Sequence, residues 1–526
     1  MPTYLSPGVY VEEISSGSKP IEGVSTSTAA FVGSANRGPV GEPVLVGKFD
    51  DYVETFGKIS SESDEMGLAL LAFYLNGGKS AYICRLAGAG HAAASATFDG
   101  DDGGGGAAGD LLAVTATSSG TWANDYYITI TNADVPARTF DMAIGKRDAD
   151  GVFDAEESYT GLSMDDASDD FAELQVNDVS SLVTISIAAP GSECVLDTAS
   201  VDGEGNPSGE PITGDTAGND GAALGGTDYT SFYNDTLRKY RDVSIILLPG
   251  QQWEETPPAS GNYSNAAVSA TRAFCETYKR TVLLIDLPET LELTSSADVS
   301  ALGLPTSTYT SLYYPWVQVA NPLYNETTNP LADRTVGVPP SAFAAGMFAK
   351  IDGKRGVWKA PAGVETNLAG VASLQYNIED LEQDYLNPAG VNCIRKLPNF
   401  GSVIWGSRTL ATRADPEWRY VPVRRTAIMI EQSIYHGIQW AVFEPNDHPL
   451  WGSLRANIGS FMNGLFRSGA FQGATAKDAY FVRCGLGDTM TQGDIDRGQV
   501  IVVVGFAPLK PAEFVIVRIQ QKVGQQ

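Results

Sequence analysis

Apolar positions between Ser27 and Leu86 change period repeatedly, and each change predicts an element. The runs TAAFVG and EPVLV enclose the turn Asn36-Arg37-Gly38-Pro39 and read as strands, because a strand buried on both faces shows no polar alternation. Over residues 64–76 the apolar positions (Met66, Leu68, Leu70, Leu71, Phe73, Tyr74) have helical spacing, and Gly77-Gly78 ends the helix before a strand at 81–86. This is α/β organisation. It resumes further on. A helix at 229–241 leads into VSIILLP and one at 264–279 into TVLLIDLP, followed by the strand LYYPWVQV, a helix at 340–350 and long helices near 423–440 and 448–466. Two strands, VIVVVGF (500–506) and EFVIVRI (513–519), end the pattern. Both are apolar on both faces, so each must be covered or paired, since an open apolar edge is an aggregation hazard.

Between the two α/β stretches the texture breaks. After Ala87 the chain turns to Gly, Ala, Asp and Ser, with GDDGGGG at 100–106, and alternating stretches such as YYITIT and SLVTISI predict an all-β insertion. A second Gly/Asp-rich stretch at 201–226 leads back to the core. At the other extreme, Pro2, Pro7 and Pro20 punctuate an extended arm in which only Val9, Tyr10, Val11 and Ile14 offer a short strand. Such a strand cannot bury itself alone. The expected organisation is α/β (α+β) and multi-domain: an arm at 1–25, a first core part at 26–87, an inserted all-β outer domain at 88–228, a second core part at 229–360, a C-terminal domain at 361–511, and a terminal strand and arm at 512–526 containing Phe514, Val515, Ile516, Val517 and Ile519.

Charge sharpens the boundary of the insertion. The chain of 526 residues has a formal net charge of −28, and 26 acidic against three basic residues (Arg138, Lys146, Arg147) fall between His91 and Asp228. A surface adapted to salt would be acidic throughout, so the concentration marks one separate solvated module, and it argues against nucleic acid as a direct partner. No basic head precedes an apolar run at the N-terminus, and nowhere do about 18 apolar residues follow one another, so neither a signal peptide nor membrane insertion is expected. Five cysteines lie far apart without a CxxC pair, which points to buried reduced thiols.

Catalytic chemistry finds little support. The NGGKS segment at 76–80 holds a Gly-Lys-Ser, but a phosphate loop needs Gly where Phe73 stands. The KRDADGVFDAEE segment at 146–157 spaces Asp148, Asp150, Gly151, Asp154 and Glu157 as in a calcium loop, yet the first ligand position is Lys146; chance in an Asp-rich module is the better account. His91, His436 and His448 have no metal-spaced partner, and no GxSxG, HExxH or Cys/His pairing occurs. No cofactor and no enzymatic activity are expected. The C-terminal third instead carries GVWKAPAG, WRYVPVRR, WAVFEPN and GFAPLKPAEFVIVRI, rich in planar and apolar groups suited to packing surfaces.

Those segments, with SPGVYVEEI, AFVGSANRGPVGEPVLV, DYVETFG, NGGKSAYICRL, LYYPWV, VPPSAFAAGMFAKIDGKRGVWKAPAG, GVNCIR and VIWGSRTL, occur in an order that resembles the contractile tail sheath proteins of bacteriophages and phage-tail-like particles. The resemblance covers about residues 1–87 and 310–522, with weaker agreement over 229–310 and none over the insertion. It implies a structural homo-oligomer made and assembled in the bacterial host cytoplasm as part of a virion tail or tail-like particle. Its rings would stack in a helical tube around an inner tail tube protein and meet baseplate and tail terminator proteins. It also implies that terminal arms cross into neighbouring subunits and complete a β-sheet there, which agrees with the orphan strands at Val9–Val11 and 513–519. An acidic subunit needs basic groups where it meets an acidic tube, and Arg455 and Arg467 are the candidates. The alternative, from a different class, is a surface-exposed hydrolase or carbohydrate-binding protein that uses the acidic β module.

Overall fold

The computed structural model describes residues 20–101, 107–148, 150–198, 209–411 and 415–514. The chain forms two compact units, Thr26–Arg424 and Met1–Ser25 with Arg425–Gln526. Residues 361–424, expected from the sequence to begin the C-terminal domain, belong to the first unit because their strands extend its main sheet.

That sheet has eight strands in the order Pro43–Val46, Ala81–Arg85, Ala29–Gly33, Ile245–Leu247, Val282–Asp286, Thr310–Tyr314, Val391–Leu397 and Gly401–Ile404. The inner pairings are parallel and the two edge strands antiparallel. Helices bury the inner strands on both faces, which is why TAAFVG and TVLLIDLP carry no polar alternation. LYYPWVQV, read from the sequence as one strand, is two: Thr310–Tyr314 stays in the main sheet, while Val317–Ala320 joins a separate three-stranded sheet. The helix Pro340–Arg355 is buried through most of its length, and a Cβ at Gly346 would stand 2.5 Å from the Phe73 carbonyl oxygen, so only glycine lets it approach helix Glu65–Leu75 this closely.

Asp286, the last residue of its strand, accepts hydrogen bonds from Ser341 N at 2.9 Å and Ser341 Oγ at 2.6 Å at the start of that helix. Burial pushes its carboxyl up to about 7, against the lowering effect of those two bonds and with a further push from Glu65. The native state therefore holds this proton more tightly than the unfolded chain, where such a carboxyl titrates near 4. The associated stability is complete below about pH 4 and is lost as the pH rises through about 7. Between pH 5.5 and 8 the wild type should lose on the order of 2 kcal/mol through this group. Urea unfolding should show Asp286→Asn gaining on the wild type by about that amount across the interval; a constant difference would contradict the assignment.

The insertion is built from two antiparallel four-stranded sheets. One runs Cys194–Val195, Ser95–Asp101, Ala107–Ala116, Val183–Ile187; the other runs Glu210–Pro211, Tyr126–Asp134, Thr139–Arg147, Phe153–Ser163. Both feed one core that includes Leu112, Val114, Ile128, Ile130, Phe140 and Ile185, and a short helix, Ala172–Asn177, adds Val176 to it. Its neck is closed by backbone, with Ala92 N donating to Asn219 O and Ala222 N to Ala89 O. Buried Arg85 ties the insertion to the main sheet, donating to Ala35 O and Gly38 O on the core side and to Ser119 O on the insertion side.

In the second unit the helix His448–Arg467, capped by Asp447 through Leu450 N, buries Leu450, Trp451, Leu454, Ile458 and Met462 on one face. Leu450, Trp451 and Leu454 share a small core with Cys484 and Met490. The N-terminal segment is rooted here. Val24 N donates to Ser433 Oγ, and Ile21 is buried against Gly437, where a Cβ would come within 2.6 Å of it.

Candidate assembly site

An element the sequence reading missed, the strand Tyr480–Arg483, pairs antiparallel with Val503–Phe506 to make a sheet of two strands. Its only sequence signal is the short run YFVR before Cys484, too brief for periodicity to separate from loop. Gly505 lets the Phe481 ring lie across it, since a Cβ there would come within 2.4 Å of the ring and turn it aside. One face shows Phe481 and Val503 to solvent, 46% and 42% exposed, with the Arg483 guanidinium 5.1 Å from the Phe481 ring centre. Among the described residues each of these strands pairs only with the other, so each has one edge of unpaired main-chain groups. A two-stranded sheet with an apolar face is marginal in water by itself and has the form of a template for added strands.

Of the expected strand-exchange residues only Phe514 is among the described ones. Val9, Tyr10, Val11 and Ile14, and Val515, Ile516, Val517 and Ile519, lie outside the described residues. Phe514 is described and is 75% exposed. The strand expected at 500–506 starts at Val503. Arg455 and Arg467 both lie on the helix His448–Arg467 and are exposed; the Arg455 guanidinium donates to Cys484 O. Twelve residues apart, they are about 18 Å apart along the axis and about 120° around it, so one flat surface would not meet both equally. The second unit also differs in charge from the rest of the chain, since residues 1–25 and 425–526 together hold ten bases and eleven acids, a net −1 against −28 overall.

The segments and crevice with the form of a ligand site have structural roles. In an open parallel sheet a ligand would sit where the strand order reverses, here between Ala29–Gly33 and Ile245–Leu247. That crevice is filled by protein: Glu65 accepts from Gly250 N at 2.9 Å and from Gln252 Nε2 at 3.2 Å, and a Cβ at Gly33 would meet Pro249 O at 2.9 Å. Asp148 of the calcium-like segment closes a hairpin turn, its Oδ1 accepting from Asp150 N and Val152 N. In NGGKS, Gly77 has φ of 107°, and a Cβ at Gly78 would lie 2.2 Å from the Phe73 ring, so both glycines end a helix. Among the described residues no group of three or more His, Cys, Asp or Glu could hold a metal ion, and no helix is long and apolar enough to cross a membrane. All five cysteines are free and buried. WRYVPVRR builds packing: the Arg424 guanidinium lies between Trp418 and Tyr309, 3.7 and 4.4 Å from their ring centres.

Comparison with known proteins agrees with this architecture. Residues 222–410 match the phage tail sheath protein central domain and residues 413–522 the phage tail sheath C-terminal domain, together more than half of the chain. A prophage major tail sheath protein of Pseudomonas aeruginosa (strain UCBPP-PA14) is 27% identical over 234 residues, 43% of this chain and 56% of that protein. The tail sheath protein of Burkholderia phage BcepMu is 32% identical over 172 residues, 31% of this chain and 34% of that protein. The chain thus aligns with about half and about a third of these relatives' lengths. The contracted sheath complex of PVC, an extracellular contractile injection system, superposes with a TM-score of 0.60 at 23% identity over 99% of both chains, a likeness of fold. None of these findings supports the hydrolase or carbohydrate-binding alternative. The chain belongs to the contractile tail sheath family.

Proposed function

We propose that the chain is the structural subunit of a sheath that polymerises helically around an inner tube, contracts on a baseplate signal to drive the tube through a target envelope, and does so without catalysis. The observation that carries this reading is the two-stranded sheet of Tyr480–Arg483 and Val503–Phe506, a strand acceptor in a chain with strand-forming segments at both ends. The arms of neighbouring subunits would add to its edges, and the buried Ile21–Gly437 contact with the Val24–Ser433 hydrogen bond would hold the root of the N-terminal arm when its far end is pulled. The acidic insertion is the outward-facing module, and the near-neutral second unit faces the tube through Arg455, with Arg467 the second candidate.

Purified protein should form rings, tubes or polysheaths in negative stain. Discrete particles at every concentration and salt would refute the reading. Reversing charge at Arg455 and Arg467 together is expected to reduce co-assembly with tubes several-fold; reversal at Arg467 alone, an exposed charge, should leave monomer melting within about 1 kcal/mol of wild type, while reversal at Arg455 also removes its hydrogen bond to Cys484 O and should cost about 1–2 kcal/mol more. Undiminished tube decoration by the double variant would remove the tube-facing assignment.

A further inference from the structure

We propose that the loop at residues 442–447 is a docking anchor that seats on the basic end of the second unit of another copy of this chain; the inference rests on the sheath reading. Phe443 is 103% exposed, and its φ of 68° is a left-handed conformation that bulky L side chains rarely adopt. A ring in water contributes nothing to its own subunit that would offset such a backbone. The loop is nevertheless firmly held. Val442 N donates to Gln439 O and Glu444 N to Ala441 O. The Asn446 amide donates to Gln499 O at 3.0 Å, its Oδ1 accepts from the indole of buried Trp451 at 2.8 Å, and Asp447 caps the helix that follows. Trp440 and Ala441 pack on the small core, which leaves Val442, 59% exposed, and Phe443 outside it. A preorganised, exposed apolar pair has the character of an interface hot spot.

Charge and distance identify the occupant. The loop carries Glu444 and Asp447 and no base. The helix that begins beside it has 20 residues, about 30 Å. At its far end stand three exposed cations, Arg467, Lys477 and Lys510, none in an ion pair among the described residues, against one exposed acid, Asp478, whose carboxylate is held by Thr475 N and Oγ1. They are gathered there because Gln472 N donates to Ala507 O and Ala507 N to Ala479 O, which brings the segments around Phe471, Ala479 and Pro508 together. One unit thus has an acidic, apolar head and a basic tail too far apart to meet within a molecule. Between two molecules they can meet, and a contact between unlike patches repeats as a ring or an open helix instead of closing as a dimer.

The test is a photo-cross-link in assembled protein. An equal mixture of ¹⁴N- and ¹⁵N-labelled chains carrying Phe443→p-benzoylphenylalanine is polymerised and irradiated. Mixed-isotope cross-links from position 443 to peptides containing Arg467, Lys477 or Lys510 are expected; cross-links within one molecule, to other regions, or none would overturn the inference. Independently, Phe443→Gly removes the anchor and relieves its backbone. Its melting temperature should equal or exceed that of wild type, while the concentration needed for polymerisation should rise at least tenfold. Lys477→Glu with Lys510→Glu should raise that concentration too, and adding Glu444→Lys should recover part of the loss. Failure of the wild type to polymerise would condemn the sheath reading itself, whereas wild-type tubes with an unchanged threshold for Phe443→Gly would sink this inference alone.

Discussion

Deleting residues 1–18, or everything after Pro511, is expected to abolish tubes while leaving most of the monomer's helical circular dichroism. The segments removed, which include Val9–Val11 in one case and Phe514–Ile519 in the other, have strand-forming sequences, and every helix among the described residues lies outside them. In the assembly each would add to an edge of the Tyr480–Arg483 and Val503–Phe506 sheet, every main-chain hydrogen bond contributing on the order of 1 kcal/mol net. Several such bonds at every subunit make the lattice cooperative, so the loss is near total. Lengthening the Ser16-Gly17-Ser18 linker by two or three residues is a milder change. It leaves the root at Ile21 and Val24 in place, so tubes should form, but triggered shortening should be impaired because a slack connector does not pull. Tube counts by electron microscopy and tube length after triggering measure the two effects, and normal tubes from an arm-deleted chain would refute strand exchange.

The second large effect concerns the insertion. Replacing residues 89–221 with a short Gly/Ser linker should give soluble protein that still polymerises, because the neck strands touch across Ala89 and Ala222 and both ends can be joined without strain. Gly225 should be kept, since its N–H donates to Asp228 at the start of helix Gly226–Asp235. Arg85 makes the sharper test. In the full chain Arg85→Ala leaves two buried carbonyls and one half-buried one without their donor and should cost on the order of 3–5 kcal/mol. After excision the neck is open to water, and the same substitution should cost about 1–2 kcal/mol less. Denaturant unfolding of the four proteins gives the difference directly. An insoluble or non-polymerising excision variant would place the insertion among the assembly contacts.

The main sheet was legible in the sequence because its inner strands are buried on both faces, and helices such as Glu65–Leu75, apolar nearly all round, are bounded by a cap at Asp64 and a glycine stop. The insertion was legible through alternation and charge. The break in LYYPWVQV was not, because Tyr314 and Val317 are both apolar and both buried, and periodicity cannot see that they serve different sheets. The hairpin Val391–Leu397 and Gly401–Ile404 tied residues 361–424 to the first unit through pairings with distant strands, a long-range fact with no local signature. The assembly site was half legible. The sequence offered terminal strand-forming segments as exchange candidates, but the proposed receiving strand Tyr480–Arg483 is four residues long and half exposed, and Phe443 stands out only once its backbone angle is known.

The most direct measurement is a cryo-electron microscopy reconstruction of the polymerised full-length protein at a resolution that separates strands. The sheet of Tyr480–Arg483 and Val503–Phe506 is expected to be widened in the tube, with main chain from neighbouring subunits hydrogen-bonded along its outer edges. A tube in which that sheet still has two strands, with both edges facing solvent, would contradict the proposal that arm exchange holds the sheath together.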